Sequence, residues 1–424
     1  MKVLVLGSGG REHAIVWKLR QSPSVKQVYC VPGNAGICEE AECVFGDLKS
    51  VDSLAQVASK IQPDMTVVGP ELPLSLGVVE EFQRRGFRIF GPTSAAARLE
   101  SSKIFAKEFM QRHRIPTAHY AVCTKVQEIK DALPHFSTPI VVKADGLAAG
   151  KGVVICKSRE EAGNVAAEML SGRMLGDAGT RVVLEEFLQG EEVSFLAICD
   201  GERAIPLVAA QDHKRIGDGD TGPNTGGMGA YSTPELLDPQ MSEWLLTHVT
   251  RPVIQAMKSE GAEYRGVLYC GLIMTARGPM VLEFNCRFGD PETQPILMRL
   301  ESDLLGAFIA SAEGRLSEGD LKWSKDATAC VVMAAGGYPD KPELGKVIHG
   351  LKEADQVPGV KVFHAGTRRT GDDFVTNGGR VLGVTARGPD LKSAVASAYQ
   401  AVGKIHFEGM QFRHDIAARG LRGK

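Results

Sequence analysis

The chain reads as a multidomain α/β and α+β protein. A parallel α/β domain comes first, a small α+β unit and a larger central unit follow, and a small α+β domain closes the chain. Three observations predict this. The 424 residues suffice for about three domains. The first hundred residues alternate short apolar strands with helical patterns, the signature of a parallel sheet with right-handed crossovers. From about residue 115, strand pairs joined by glycine-rich turns take over.

Within the first unit, residues 2–6, 27–31, 65–68 and 88–90 read as buried strands, and 11–20 and 78–85 as helices. Gly91-Pro92 punctuates its end, and 93–113 reads as one long helix. Residues 140–144 and 152–157 are strands around a glycine-rich turn, followed by a helix at 159–170 and a strand at 181–186. Further strands are expected at 192–199, 204–210, 266–274 and 280–287, with helices near 241–260 and 295–313. The last unit begins after Trp323, with strands at 329–334 and 380–385, a turn at Asn377-Gly378-Gly379 and a helix at 391–405.

Composition excludes some classes of function. Formal net charge is −2 with 43% hydrophobic residues, which argues against a protein that grips nucleic acid or anionic membrane by overall charge. No apolar run approaches a membrane span, and the N-terminus enters a strand without the pattern of a signal peptide. Nine cysteines without a C-x-x-C pair read as reduced, mostly buried thiols of a cytoplasmic protein.

The strongest chemical signal is Val281-Leu282-Glu283-Phe284-Asn285-Cys286-Arg287. Alternation along a strand puts Glu283, Asn285 and Arg287 on one face and Leu282, Phe284 and Cys286 on the other. A carboxylate and an amide oxygen suit a Mg²⁺ ion that holds phosphate oxygens, and a guanidinium suits charge developing on a transferring phosphoryl group. Near the N-terminus, Gly7-Ser8-Gly9-Gly10 sits between a strand and a helix, where free N–H groups favour an anion. A dinucleotide site would want an acid at the end of the second strand, but Pro32-Gly33-Asn34-Ala35-Gly36 stands there, so a smaller phosphate fits better. Lys143 to Gly152 joins two strands through a glycine-rich loop with Lys151, suited to folding over a triphosphate. Glu185-Glu186-Phe187 ends an apolar strand, an edge that could meet an adenine. Gln211-Asp212-His213-Lys214-Arg215 is a basic cluster running into a glycine-rich loop that suits an anionic substrate.

These segments, together with Gly69-Pro70-Glu71 and Arg287-Phe288-Gly289-Asp290-Pro291-Glu292, resemble in their order the phosphoribosylamine–glycine ligase (glycinamide ribonucleotide synthetase) family of the ATP-grasp superfamily. The resemblance spans essentially the whole chain. It implies an N-terminal substrate-binding α/β domain at 1–102 and an ATP-grasp region at 103–322. That region divides into a lid at about 115–188 and a central domain at about 189–322, and a C-terminal domain follows at 323–424. It implies ligation of glycine to 5-phosphoribosylamine through glycyl phosphate, with ATP as co-substrate and Mg²⁺ or Mn²⁺ as metal. Catalytic roles would fall to Arg287, Lys143 and Asp212. ATP would meet Lys103, Lys143, Gly146, Gly150, Lys151, Gly152, Glu185, Glu186, Phe187 and Glu192. The other substrates would meet Gly9, Gly10, Asn34, Glu71, Asp212, Lys214, Arg215, Asp290, Pro291 and Glu292. Glu283 and Asn285 would hold the metal. The family also suggests a cytoplasmic monomer with small-molecule partners only.

One departure stands out. Many ATP-grasp enzymes carry a second metal-binding carboxylate on the strand before the Glu-x-Asn strand, and here Tyr269 to Met274 has none. Three alternatives compete with this assignment. A carboxylating ATP-grasp ligase would show bicarbonate-dependent ATPase activity. A nicotinamide-dependent oxidoreductase would change absorbance with NADH. A non-catalytic nucleotide-binding protein would release no ADP.

Overall fold

Five short apolar strands build the first layer. In the computed structural model, which describes residues 1–146, 152–174 and 179–422, they stand in the order Glu42–Cys43, Gln27–Pro32, Lys2–Gly7, Met65–Val68, Ile89–Phe90. All neighbours are parallel. Val3, Leu4, Val5 and Leu6 are fully buried, as a parallel sheet covered on both faces requires.

A separate four-stranded antiparallel sheet runs Tyr120–Cys123, Val182–Glu186, Ile140–Ala144, Val153–Cys156. Helix Arg159–Leu170 covers it, and the Ser158 hydroxyl accepts from the Glu161 N–H to cap that helix. This unit has its own core, with Ile140, Val142, Leu184, Ala166 and Met169.

The central antiparallel sheet runs Ala204–Pro206, Glu191–Asp200, Arg265–Thr275, Gly278–Asn285. Its apolar faces merge with those of the first sheet into continuous cores, where the rings of Phe90 and Phe308 stack at 4.2 Å. A fourth sheet runs in the order Gln211–Asp212, Gly229–Ser232, Ala327–Ala334, Arg380–Gly388, Val360–His364. Two of its strands come from the middle of the chain, so the C-terminal sheet is completed by the segment that carries the basic cluster.

Several elements differ from expectation for local reasons. The helix expected at 93–113 breaks at Ser102, between Ser94–Ser101 and Lys103–Arg112. Ser102 takes an extended conformation, accepts from the Phe105 N–H at 3.1 Å and donates to Asp145 Oδ1 at 2.9 Å. An N-cap serine satisfies orphan donors better than a continuous helix would here. The helix near 295–313 divides into Thr293–Arg299 and Leu304–Glu313, with Asp303 capping the second. The helix near 241–260 contains a π-turn at Leu246–Thr250 just before Pro252, whose missing N–H disrupts the regular ladder. The strand expected at 204–210 stops at Pro206. Cys38 and Cys43 form a disulfide with Cα atoms 5.4 Å apart, so the expected set of nine thiols is corrected to seven, all of them buried. The turn after the short helix Ile37–Glu40 brings the pair together. No helix among the described residues is long and apolar enough to cross a membrane.

Candidate active site

The strand Gly278–Asn285 positions the metal-type donors. Its pairing with Arg265–Thr275 matches Gly271 with Glu283 and then Leu272 with Val281, so Leu282 is the extra residue of a bulge. The bulge changes the expected facing. Val281, Phe284 and Cys286 enter the main core, but Leu282 joins a small cluster with Ala118, Leu188, Ile273 and Met280. Glu283 and Asn285 are half-buried.

Arg287 lies beyond the end of this strand, where its guanidinium is shared. Nη2 is 2.8 Å from Glu100 Oε1 and donates to Asn285 Oδ1 at 3.1 Å, and Nε is 3.4 Å from Glu71 Oε2. Glu100 is itself fixed by the Cys286 N–H at 2.7 Å. Sequence inspection found Arg287 and Glu71 but not Glu100, which reads as an ordinary charge late in a helix.

Glu283 is the electrostatic centre. Burial alone would raise its carboxyl, but Lys214, Lys143, Lys103 and Arg287 together hold it below the usual range. Among the described residues it forms no ion pair within 4 Å, so a carboxylate ringed by cations keeps its oxygens available. Glu283 and Asn285 offer hard oxygen donors that suit Mg²⁺, with phosphate oxygens and water to complete the shell. No group of three or more His, Cys, Asp or Glu residues that could hold a metal occurs among the described residues.

Two lysines, one from the lid and one from helix Lys103–Arg112, meet one carboxylate. Lys143 Nζ and Lys107 Nζ each lie 3.0 Å from Glu185 Oε2, and Lys143 also donates to the Leu282 carbonyl at 3.3 Å. This corrects the expectation for Glu185 and Glu186. Their strand is flanked on both sides by other strands, and Glu186 donates its N–H to the His119 carbonyl, so neither residue offers a free sheet edge. The strand ends there, and Phe187 is the first residue beyond it. Lys107 was missed. Its spacing of four from Lys103 on one helix face was the available signal. The lid hairpin is tied to that helix by Asp145, which accepts from Ser102 Oγ and the Ile104 N–H and pairs with Arg181. Gly146 and Gly152 are the described residues on either side of 147–151, and the expected contacts of Gly150 and Lys151 lie outside the described residues.

The glycine-rich N-terminal turn faces the Asp290 segment. A Cβ on Gly10 would come 2.6 Å from Gln294 Nε2, and one on Gly9 would come 3.4 Å from Asp290 Oδ2. The Gly9 N–H is not free for an anion, because Glu12 accepts it at 2.6 Å. Asn34 braces the loop: its amide donates to the carbonyls of Ser8 and His364 and accepts from the Ile37 N–H. Asp290 pairs with Arg380 at 3.1 Å, and Pro291 packs beside Gly227. Glu292 is buried and accepts from Tyr269 Oη at 2.6 Å and Ser194 Oγ at 3.1 Å.

The basic cluster divides. Lys214 pairs with Glu192 at 2.5 Å, and Arg215 donates to the Gly222 carbonyl at 2.7 Å. Burial pushes the Asp212 carboxyl up to about 7; Lys214 opposes the rise, while Glu292 and Glu192 add to it. His213 faces inward, where it accepts from the Ala417 N–H and meets Arg419.

Burial pushes His213 down to about 3, with Arg419 and Arg413 adding to the effect. Burial likewise lowers His364 to about 3, helped by His13 and Lys361. Between the ordinary value of 6.5 and about 3 the unfolded chain binds protons that these folded imidazoles refuse. Stability from these sites therefore falls as pH drops from about 6.5 and levels off near 3. Chemical denaturation at pH 7 and pH 4.5 will show the drop, and His364→Gln will reduce it; equal pH dependence in both chains would count against His364.

Three family domains match in order. The phosphoribosylglycinamide synthetase N domain matches residues 1–100, the ATP-grasp (A) domain 101–293 and the C domain 328–419. The phosphoribosylamine–glycine ligase of Vibrio parahaemolyticus is 48% identical over 424 residues, covering 99% of each chain. That of Escherichia coli K12 is 49% identical over 425 residues, again covering 99% of each. A crystal structure of phosphoribosylamine–glycine ligase from Thermotoga maritima superposes with a TM-score of 0.85 at 35% identity, covering 98% of this chain and 100% of that one. The biotin carboxylase domain of a Hydrogenobacter thermophilus 2-oxoglutarate carboxylase, solved with ADP and magnesium, shares the fold alone. Its identity is 18% and its TM-score 0.74, over 97% of this chain and 91% of that one. The chain belongs to the phosphoribosylglycinamide synthetase family.

Proposed function

We propose that this chain joins glycine to 5-phosphoribosylamine with ATP, giving glycinamide ribonucleotide, ADP and phosphate in de novo purine biosynthesis. The observation that carries the reading is the ring of Lys103, Lys143, Lys214 and Arg287 around the half-buried Glu283 carboxylate. Cations converging on this carboxylate from separate segments of the chain suit a polyphosphate at the lid–central junction.

In the first step the glycine carboxylate attacks the γ-phosphate, forming glycyl phosphate and ADP. Lys103 and Lys143 hold phosphate oxygens, and Arg287 meets charge on the transferring group. Mg²⁺ or Mn²⁺ held by Glu283 and Asn285 supplies charge neutralisation at those oxygens when bound. In the second step the amine of phosphoribosylamine attacks the acyl carbon and phosphate leaves. Asp212, beside Glu292 and Lys214, takes the proton from that amine. Acyl phosphates hydrolyse, so a lid over the site protects the intermediate. Gly9, Gly10, Glu71, Arg215 and the 290–292 segment line the phosphoribosylamine side, and Glu192 and Phe187 the nucleoside side. The units follow as 1–102, 103–322 and 323–424, in a cytoplasmic monomer acting on small molecules, without nucleic acid or membrane partners.

ADP release is measured with Mg²⁺-ATP, glycine and fresh phosphoribosylamine, omitting each in turn. Release that requires all three, with glycinamide ribonucleotide as product, supports the reading. Release driven by bicarbonate instead would overturn the substrate assignment. An Asp212→Asn variant is expected to lose roughly 100-fold or more in turnover. In the parent chain kcat/KM for phosphoribosylamine should rise through about pH 7 as Asp212 ionises. A pH profile of unchanged shape in Asp212→Asn would remove Asp212 from proton transfer.

A further inference from the structure

Lys107 is a buried cation that neither ligation step uses. It sits on helix Lys103–Arg112 with its side chain 3% exposed. Its ammonium and that of Lys143 share a single oxygen of Glu185, Oε2, at 3.0 Å each. Glu185 is 2% exposed, and its other oxygen, Oε1, has no hydrogen-bond partner. Two ammonium groups on one carboxylate make a cluster with one surplus positive charge, away from bulk water.

The two lysines are anchored differently. Lys107 also donates to Thr117 Oγ1 at 2.8 Å, and Thr117 donates in turn to the Val281 carbonyl at 2.7 Å. Lys107 is thereby braced against the strand that carries Glu283. The second contact of Lys143 is a long bond of 3.3 Å to the Leu282 carbonyl, and its side chain is more exposed, at 8%. Of the two, Lys143 is the one free to leave. Burial lowers Lys107 to about 8, with Glu185 opposing and Lys143 adding to the effect. The crowding of the two ammonium groups is relieved when Lys143 departs.

We infer that Lys107 is a positioning residue, the counter-ion that stays on Glu185 when Lys143 moves from that carboxylate to a phosphate of ATP. The inference rests on the reading that Lys143 meets ATP. Without Lys107, the departure of Lys143 would strand a buried carboxylate with no partner, a costly state. Lys143 would then remain on Glu185, and nucleotide would bind poorly although every residue that touches it is present. Lys107 thus acts on affinity for ATP through Lys143, with no contact to the nucleotide.

The test is calorimetric binding of a non-hydrolysable ATP analogue with Mg²⁺ to the full chain. The variants are Lys107→Met, Glu185→Gln, the double variant, Lys107→Arg and Lys143→Met, each checked by thermal melting. Lys107→Met should weaken binding by roughly tenfold or more, the scale of a charged hydrogen bond. Adding Glu185→Gln should restore affinity to within about threefold of Glu185→Gln alone, because a neutral amide releases Lys143. Lys107→Arg keeps the charge and should bind like the parent. In turnover, Lys107→Met should raise KM for ATP and leave KM for glycine unchanged. Parent affinity in Lys107→Met, or a double variant as weak as Lys107→Met, overturns the inference while the ATP reading stands. No binding to the parent chain, or full binding to Lys143→Met, overturns the ATP reading of Lys143 and the inference with it.

Discussion

Arg287→Ala is expected to reduce ligation by roughly 10³-fold or more while an ATP analogue still binds, because the lost charge acts on the transferring phosphoryl group. The structure adds a second consequence. Arg287 also neutralises Glu100, which is nearly inaccessible to solvent, and contacts Glu71. Burial already raises the Glu100 carboxyl despite Arg287 beside it. Removing the guanidinium leaves that carboxylate uncompensated, at a cost of about 3–5 kcal/mol if it stays ionised. A low rate alone could therefore reflect a damaged fold. The double variant Arg287→Ala/Glu100→Gln separates the effects, since the amide removes the stranded charge. Its melting temperature should recover toward that of the parent, and its turnover should not. A double variant that regained activity would sink the phosphoryl-transfer role of Arg287 and leave it a structural one.

Glu283→Gln should lower ADP release by at least roughly 100-fold at moderate Mg²⁺, with partial recovery at high Mg²⁺. The side chain keeps its shape and loses its charge. A metal ligand is weakened, and the four surrounding cations lose the anion they share. Chelation of the parent chain should abolish release, and added Mg²⁺ should restore it. Titrating Mg²⁺ against initial rate in both chains decides the matter. An identical Mg²⁺ dependence would place the metal elsewhere. The variant should also melt lower, because Lys103, Lys143, Lys214 and Arg287 each lose one favourable charge interaction.

Much of this site is legible in local sequence because local rules set it. The apolar run at Lys2–Gly7 is a buried parallel strand, and helix Arg159–Leu170 occupies the residues its periodicity marks. The Glu-x-Asn spacing places Glu283 and Asn285 two apart on one strand. Local reading failed where a competing local interaction is stronger than periodicity. Ser102 ends one helix by capping the next, and in the 295–313 region Asp303 caps a second helix that starts after the first has closed at Arg299.

Other features depend on partners far apart in sequence. The bulge at Leu282 arises from pairing with Arg265–Thr275 and reverses the expected facing of one residue. The bracing of Asn34 depends on Ser8 and His364, whose carbonyls the fold places around its amide. The C-terminal sheet needs two short segments with no strand signal of their own: Gln211–Asp212 pairs with Gly229–Ser232, which pairs in turn with Ala327–Ala334 across about a hundred residues.

The sequence by itself determined the class of fold, the glycine loops and the chemical types gathered for phosphate. Side-chain type and short-range periodicity are properties of neighbouring residues. Only the tertiary structure decided which charges meet: Arg287 with Glu100, Lys214 with Glu192, Lys107 and Lys143 with Glu185. In a buried site the free energy of a charge depends on what lies within a few ångströms, and the folded chain sets those neighbours.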